Sequence, residues 1–495
     1  MTTQYNAGLD SSDVKVSYAV EAVWATIPTT VFKQLRITAE DFTESKTRTR
    51  PLEINPSGYA QHAITTKVEA KGSLNFGLSF ATFDDFLLGA LNAASWSNFG
   101  SLVGAAGVIS AVAAGNEFSD TGTGAFAQFV PGQKIRVSGF TNAQNNGIFK
   151  VVSVTAGPPS IMVVVATSGT VGGGILVNEA PAGSITIEAY SLVEVGGDIS
   201  ITTGTNVLGS TTANKFANVV AGQWLQLTGF TNAANNGAFL VASKTDSTHL
   251  VLENATNTQA FVTETPAAAA VSIFGNFVQN SNVVTTFSFE KQMAANLFLQ
   301  YVGSYVSSLQ LTMQVGKFVE GVLSFLVKGQ TSAVVEGGTA TPYAANVNRI
   351  IDNIGGFSAF NVNGAAPTAV LQSVELTISK QRSASQYGIG SANAVGMRRG
   401  TLQVDGKLSL FFKDFTYFND FVNETDLGVS WQLTDNNGNA YVITLPSISI
   451  MNPSIVAKGI DQDMVADFAL EANPAPATNA LYPAVTIQLD RLFVS

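Results

Sequence analysis

Residues 67–76 read Lys67-Val68-Glu69-Ala70-Lys71-Gly72-Ser73-Leu74-Asn75-Phe76, and residues 401–410 read Thr401-Leu402-Gln403-Val404-Asp405-Gly406-Lys407-Leu408-Ser409-Leu410. Each alternates polar and apolar side chains, the period of a strand with one buried face. Each also leads into a short apolar segment: Thr82-Phe83-Asp84-Asp85-Phe86-Leu87-Leu88-Gly89-Ala90-Leu91 in the first case, Tyr417-Phe418-Asn419-Asp420-Phe421-Val422 in the second. In the first segment Phe83, Phe86, Leu87, Ala90 and Leu91 share one face at helical spacing. Thr82 is placed to cap that helix, and Asp84 and Asp85 fall in the first turn, where the helix dipole favours acids.

The match continues downstream, where Leu309-Gln310-Leu311 and Gly321 to Val327 pair off with Ile448-Ser449-Ile450 and Met464 to Leu470. The economical reading is one strand-rich domain present twice. The first spans residues 1–96 plus 276–335 and the second 365–495, joined by a linker at 336–364; the stretch Gln330 to Ala345 reads as structureless. Two small β-modules, 100–190 and 191–275, interrupt the first domain just after its helix. They are visible because Ser138 to Val154, SGFTNAQNNGIFKVVSV, returns as Thr228 to Lys244, TGFTNAANNGAFLVASK, 90 residues later. In each module an alternating strand precedes the turn, a second begins at Phe149 or Phe239, and a third follows at Ser160 to Ala166 or His249 to Glu253. The Asn-Asn-Gly of the turn is read as a source of positive-φ residues for a tight connection.

Composition agrees with a mainly β chain. Of 495 residues 46% are hydrophobic and only 12% charged, with 45 Gly and 15 Pro, which excludes a disordered chain and disfavours an all-helical one. The formal charge of −10 disfavours a protein that grips nucleic acid. No cysteine is present, so disulfides, zinc–thiolate sites and cysteine nucleophiles are out. The first residues lack the pattern of a secretory signal, and the most apolar run, Leu102 to Ala114, is too short to span a bilayer. The chain reads as soluble, made in the cytoplasm and not exported by a classical signal.

No constellation supports catalysis. His62 and His249, the two histidines, lie in a polar turn region and at a strand start with no partner set evident. Thr434-Asp435-Asn436-Asn437-Gly438-Asn439 fails the calcium-loop pattern, because glycine stands at position 4 and Pro446 at position 12, and reads as a hairpin turn. Gly122 to Ala127 resembles a dinucleotide fingerprint without the strand and helix it needs. The acid pairs Asp84/Asp85 and Asp461/Asp463 read as solvated. No catalytic, cofactor or metal residue is therefore expected.

The basic residues draw attention by position. Lys46, Arg48 and Arg50 sit in a long polar excursion, Thr43 to Tyr59, between strands of the first domain. The corresponding excursion of the second, Lys380 to Gly400, carries Arg382, Arg398 and Arg399. A long arm poor in apolar residues is either solvated or docked on another molecule.

Taken together, Glu21 to Thr26, Leu35 to Phe42 and Gly72 to Leu91, with the second domain behind them, resemble the phage tail tube proteins of long, non-contractile tails. The resemblance covers about residues 1–96 and 276–495, and the small modules resemble the Ig-like decoration domains such proteins carry. It implies a β-sandwich or half-barrel with a flanking helix, closing side by side into rings that stack into the siphovirus tail tube through which DNA passes at ejection without specific binding. Two tube domains per chain imply trimers with pseudo-sixfold symmetry. The implied partners are the chain itself, the tape measure, the tail terminator and the distal tail protein, and the implied location is the virion. Under this reading the six basic residues make the inter-ring contact. The alternative from another class is a modular surface adhesin or capsid decoration protein binding a glycan or receptor through its repeated modules.

Overall fold

A computed structural model of the chain describes residues 9–494 apart from positions 55, 57, 123, 167–175, 181–182, 195, 255–259, 268–270, 339–341, 343, 368, 457–459 and 461. The described residues are mainly β, and the sheets are open. The largest sheet system joins seventeen strands drawn from both ends of the sequence. Its main members are β1 (Lys15–Val20), β2 (Thr43–Thr49), β3 (Ile64–Gly77), β4 (Asn276–Gln279), β5 (Phe287–Ala294), β6 (Leu297–Gln314), β7 (Glu320–Val327) and β8 (Gly329–Ala333). From the second half come β9 (Phe357–Val362), β10 (Leu371–Gln381), β11 (Thr401–Phe411), β12 (Leu427–Thr434), β13 (Ala440–Val456), β14 (Val465–Ala472) and β15 (Gln488–Leu492).

Two long strands organise both halves. The first part of β6 pairs with β5 and β8, and its last residues pair with β7 and β10, so one strand serves two layers. In the same way β13 pairs with β12 and β15 at its start and with β14 at its end. Between the layers of the first half lies an aromatic core of Tyr18, Phe42, Phe86, Phe289 and Phe325. Burying such rings supplies roughly 1.5–3 kcal/mol each.

Helix α1 (Asp84–Leu91) follows β3, and helix α2 (Thr416–Val422) follows β11. Thr82 does not cap α1. The N-cap is Phe83, without a side-chain bond, and the Thr82 hydroxyl pairs instead with Ser79 Oγ at 2.7 Å. The helix ends where Asn92 turns left-handed, φ 53°.

Three further expectations are corrected. Gln330 to Ala333 is not structureless but lies in β8, whose backbone is held by Phe298 to Val302 of β6, and the expected linker 336–364 contains strand β9, paired with β12. Both short strands are polar or mixed, so period-2 patterning did not reveal them. Residues 43–49 form strand β2 along β3, with Thr43 opposite Lys71 and Thr49 opposite Ile64; backbone pairing orders a segment that has almost no apolar side chains. Finally, the pairing registers align Leu323 with Phe468 and Val306 with Ile450, displaced by 2 and 5 residues from the sequence match. Alternating strands look alike after a shift, and bulges in β6 and β13 absorb the difference.

The segment 98–275 forms two seven-stranded sheets with the same strand order, one from Gly100 to Ala189 and one from Ser191 to Phe274. The Asn-Asn-Gly turns differ from expectation in detail. Gly147 (φ 133°) and Gly237 (φ 142°) take positive φ, whereas the asparagines act through their side chains. Asn236 accepts from Phe230 N at 3.0 Å and donates to Phe230 O at 2.8 Å, and Asn146 does the same at Phe140.

Candidate functional site

Eight strands run side by side in the order β2–β3–β7–β6–β10–β11–β14–β13. One face is core: Leu74, Phe325, Leu311, Leu376, Leu408 and Phe468 are all buried. The alternate residues form an uncovered face with Glu69, Glu320, Glu375, Asp405, Asp467 and Glu471 against Lys67, Lys71 and Lys407. Lys407 pairs with Asp467 at 3.1 Å and Lys67 with Glu69. Asp405 stands directly opposite Glu471, an arrangement of like charges that a strand pair tolerates at a cost. A broad, polar, acidic sheet face therefore runs unbroken across both halves of the chain.

The six basic residues fall in two hairpins and not in one role. Lys46, 54% exposed, lies 3.9 Å from Glu44 in β2, and Arg48 and Arg50 are exposed further along. Beyond them the tip presents Leu52, Ile54 and Tyr59, each more than 80% exposed. The arm of the second half folds into a small hairpin, Ala384–Gln386 with Gly396–Arg398, and lies against β3. There Ala392 O accepts from Val68 N at 2.8 Å, Tyr387 Oη donates to Val68 O at 3.1 Å, and Lys67 sits over the Tyr387 ring. Arg398 Nε donates to Arg382 O at 2.6 Å and Arg399 to Asn282 O at 2.8 Å. These arginines thus bond within the chain, while Arg48 and Arg50 extend from the hairpin.

A joint between the two halves is centred on α1. Asp84 and Asp85 are not solvated. Asp84 takes the guanidinium of Arg491 and the hydroxyl of Tyr441, both from the second half. Arg491 is 2% exposed and is enclosed by Trp96, Tyr190 and Phe493. Burial alone would lower its pKa, but the Asp84 carboxylate more than offsets this and holds it above the ordinary value. Asp85 is bound by Lys33 at 2.9 Å and Tyr18 at 2.9 Å; burial works to raise its pKa, yet the Lys33 ammonium keeps it down at about 2. At the other end of α1, Lys380 of β10 donates to Gly89 O at 2.6 Å and lies 4.0 Å from the Tyr305 ring centre. Of the other acid pair, Asp463 is exposed and Asp461 lies outside the described residues. His62 is exposed, and His249 binds Asp246 at 3.1 Å. Among the described residues no group of three His, Cys, Asp or Glu could hold a metal, and no helix is long and apolar enough to cross a membrane.

The family model for the phage tail tube protein matches residues 11–472. The chain belongs to that family. It is therefore a structural component of the phage tail that assembles with itself into a tube. No curated protein matches the sequence. In this tail tube protein the match runs through both halves of the large sheet and across the inserted modules.

Residues that sequence reasoning missed hold the tube protein together at its junctions. Glu264 accepts from Thr231 N at 2.6 Å, Asn232 N at 3.0 Å and Asn235 Nδ2 at 2.9 Å, and Glu179 does the same for Thr141, Asn142 and Asn145. Each acid therefore clamps the repeated turn. The signal was present, because Val177-Asn178-Glu179 and Val262-Thr263-Glu264 recur at matching places in the modules. Trp224, Ala238, Ala440, Val442 and Leu492 form a buried cluster that seats the second module on β13 and β15. There Trp224 N donates to Asp490 at 3.0 Å, and Gln488 Nε2 does so at 2.8 Å. Nothing local in the sequence marks Asp490 or Arg491 as buried, since Trp224, which bonds Asp490, and Asp84, which bonds Arg491, lie hundreds of residues away.

Proposed function

We propose that this tail tube protein closes into rings whose inner wall is the acidic eight-strand face, and that the rings stack into the conduit through which phage DNA travels. The observation that carries this reading is the continuity of that face across both halves of the chain, polar and acidic outside, apolar beneath. A wall that repels phosphates lets duplex DNA slide, whereas a basic wall would hold it by counterion release. In this reading residues 1–96 with 276–335 and residues 365–495 are two tube units in one chain, so three chains supply six units and a ring is a pseudo-hexameric trimer. The modules at 100–190 and 191–275 decorate the outer surface. The hairpin of β2 and β3, with Arg48, Arg50 and its apolar tip, reaches to the adjacent ring. The chain works by assembly and lining, without catalysis.

The absence of cysteine gives a direct test. In tubes assembled from Thr377→Cys, a small maleimide should label the chain and a maleimide too large to enter the tube should not. Val103→Cys, on an exposed residue of the first module, should react with both. Equal labelling of the Thr377→Cys variant by both reagents in intact tubes would sink the assignment of this face to the channel.

A further inference from the structure

Strand pairing matches the two halves at fixed offsets. Opposite β3, Glu40, Thr43 and Glu44 face Leu74, Lys71 and Ala70, just as Val374, Thr377 and Ile378 face Leu408, Asp405 and Val404 in β11, an offset of 334. Opposite β5 and β12, Tyr301 and Ser304 correspond to Leu445 and Ile448, an offset of 144. Within the chain, the late part of β6 (Ser308 to Gln314) pairs with β10. Its counterpart in β13, beyond Ile448, pairs with β14 alone among the described residues. The counterpart of β10, which is β2 with the short strand Ala39–Glu40, pairs among the described residues with β3 alone. The sheet therefore has one filled joint and, at its two ends, both halves of the same joint left open.

The side chains follow the same division. At the filled joint α1 buries Phe86, Leu87, Ala90 and Leu91, and Lys380 reaches its last turn. At the open end α2 buries none of its residues, and Phe415 and Val422 are 57% and 59% exposed. The counterpart of Lys380 is Lys46, 54% exposed. The counterparts of Tyr441 and Arg491, on which α1 is seated, are Leu297 and Val334, which are 48% and 69% exposed. An unburied apolar helix at one end thus matches an unburied apolar seat at the other, and contiguous patches of this kind mark interaction sites.

We infer that a second copy of this chain fills the open end, its β2 edge adding to β13 and its Leu297–Val334 seat receiving α2, in the register of the internal joint. Ser454 then faces Thr43 of the next chain, as Gln310 faces Thr377 within one chain, and Ile455 faces Phe42. Lys46 of the next chain donates to the carbonyl end of α2, where a helix favours a cation. The contact is heterologous, so it propagates from chain to chain until the rotation closes. It differs from the internal joint in lacking the Asp84–Arg491 ion pair, which makes the joint between chains the separable one. This assignment rests on the tube reading and adds the edge, the register and the helix that seal the ring.

The test is disulfide trapping in the Ser454→Cys/Thr43→Cys double variant, oxidised after assembly, with ring formation scored by electron microscopy on the same sample. Gln310→Cys/Thr377→Cys serves as the internal control and should crosslink without a change in chain mass. Ser454→Cys/Thr47→Cys is displaced by four residues, too far for a disulfide. The expected result is a denaturation-resistant ladder of linked chains in the first variant only. Rings that remain unlinked, or that link equally in the Ser454→Cys/Thr47→Cys variant, would overturn this joint while the tube reading stands. Chains that fold but stay monomeric at every concentration would overturn the tube reading and this joint with it.

Discussion

At the scale of single residues, the internal joint depends on charges that have been taken out of water in pairs. Arg491 is buried and has Asp84 as its counter-ion. Removing one member of such a pair leaves the other uncompensated and costs about 3–5 kcal/mol, whereas replacing both with apolar or neutral groups is far milder. Arg491→Met should therefore lower the unfolding free energy from denaturant titration by that amount, and Asp84→Asn/Arg491→Met should recover most of it; equal loss in both variants would show that the pair is not the source. Asp490 behaves differently. Burial raises its carboxyl to about 8, only partly offset by Gln488 and the Trp224 N–H. The folded chain thus keeps a proton there that the unfolded chain releases near pH 4, so this group's contribution is full below about pH 4 and is lost as pH rises towards 8. Thermal scans at about pH 5 and 7 should show the wild type losing stability with rising pH and Asp490→Asn losing less of it; identical slopes would contradict the assignment. Neither Arg491 nor Asp490 was legible in the sequence, because partners 407 and 266 positions away leave no local pattern.

At the scale of elements, the period-2 segments Lys67 to Phe76 and Thr401 to Leu410 were legible because one face of each is buried and the other is not. So was α1, whose apolar face was read correctly although its cap was not. What escaped were strands held by backbone pairing alone. β2 has no buried residue, so its lysine and arginines read as a loose arm rather than a strand. The hairpin it forms with β3 is the element that the stacking reading depends on. Arg48→Ser/Arg50→Ser should leave the fold and single rings intact, since both side chains are exposed, and should shorten the tubes seen by electron microscopy. Tubes of normal length would remove these arginines from the inter-ring contact. The repeated turn was legible as a turn, and Glu179 and Glu264 recur in the sequence, but the bonds that join them to the turn asparagines span 34 and 29 residues and leave no local pattern.

At the scale of the whole molecule, the duplication makes the first half's exposed edge and the second half's exposed helix parts of one design. The chain carries in its own interior a finished example of the contact that its ends lack. The acidic balance of −10, which disfavours a protein that grips nucleic acid, also fits a conduit wall. The inserted modules are not free appendages, because Trp224 and Leu240 pack on Val442 and Leu492, which fixes the second module's position on the body of the chain. The central claim is that this body closes into rings and stacks. It is tested most directly by negative-stain electron microscopy of the purified chain over a concentration series. Hollow rings and tubes of constant diameter, threefold in end view, are expected; single unassembled particles at every concentration would rule out ring closure and stacking.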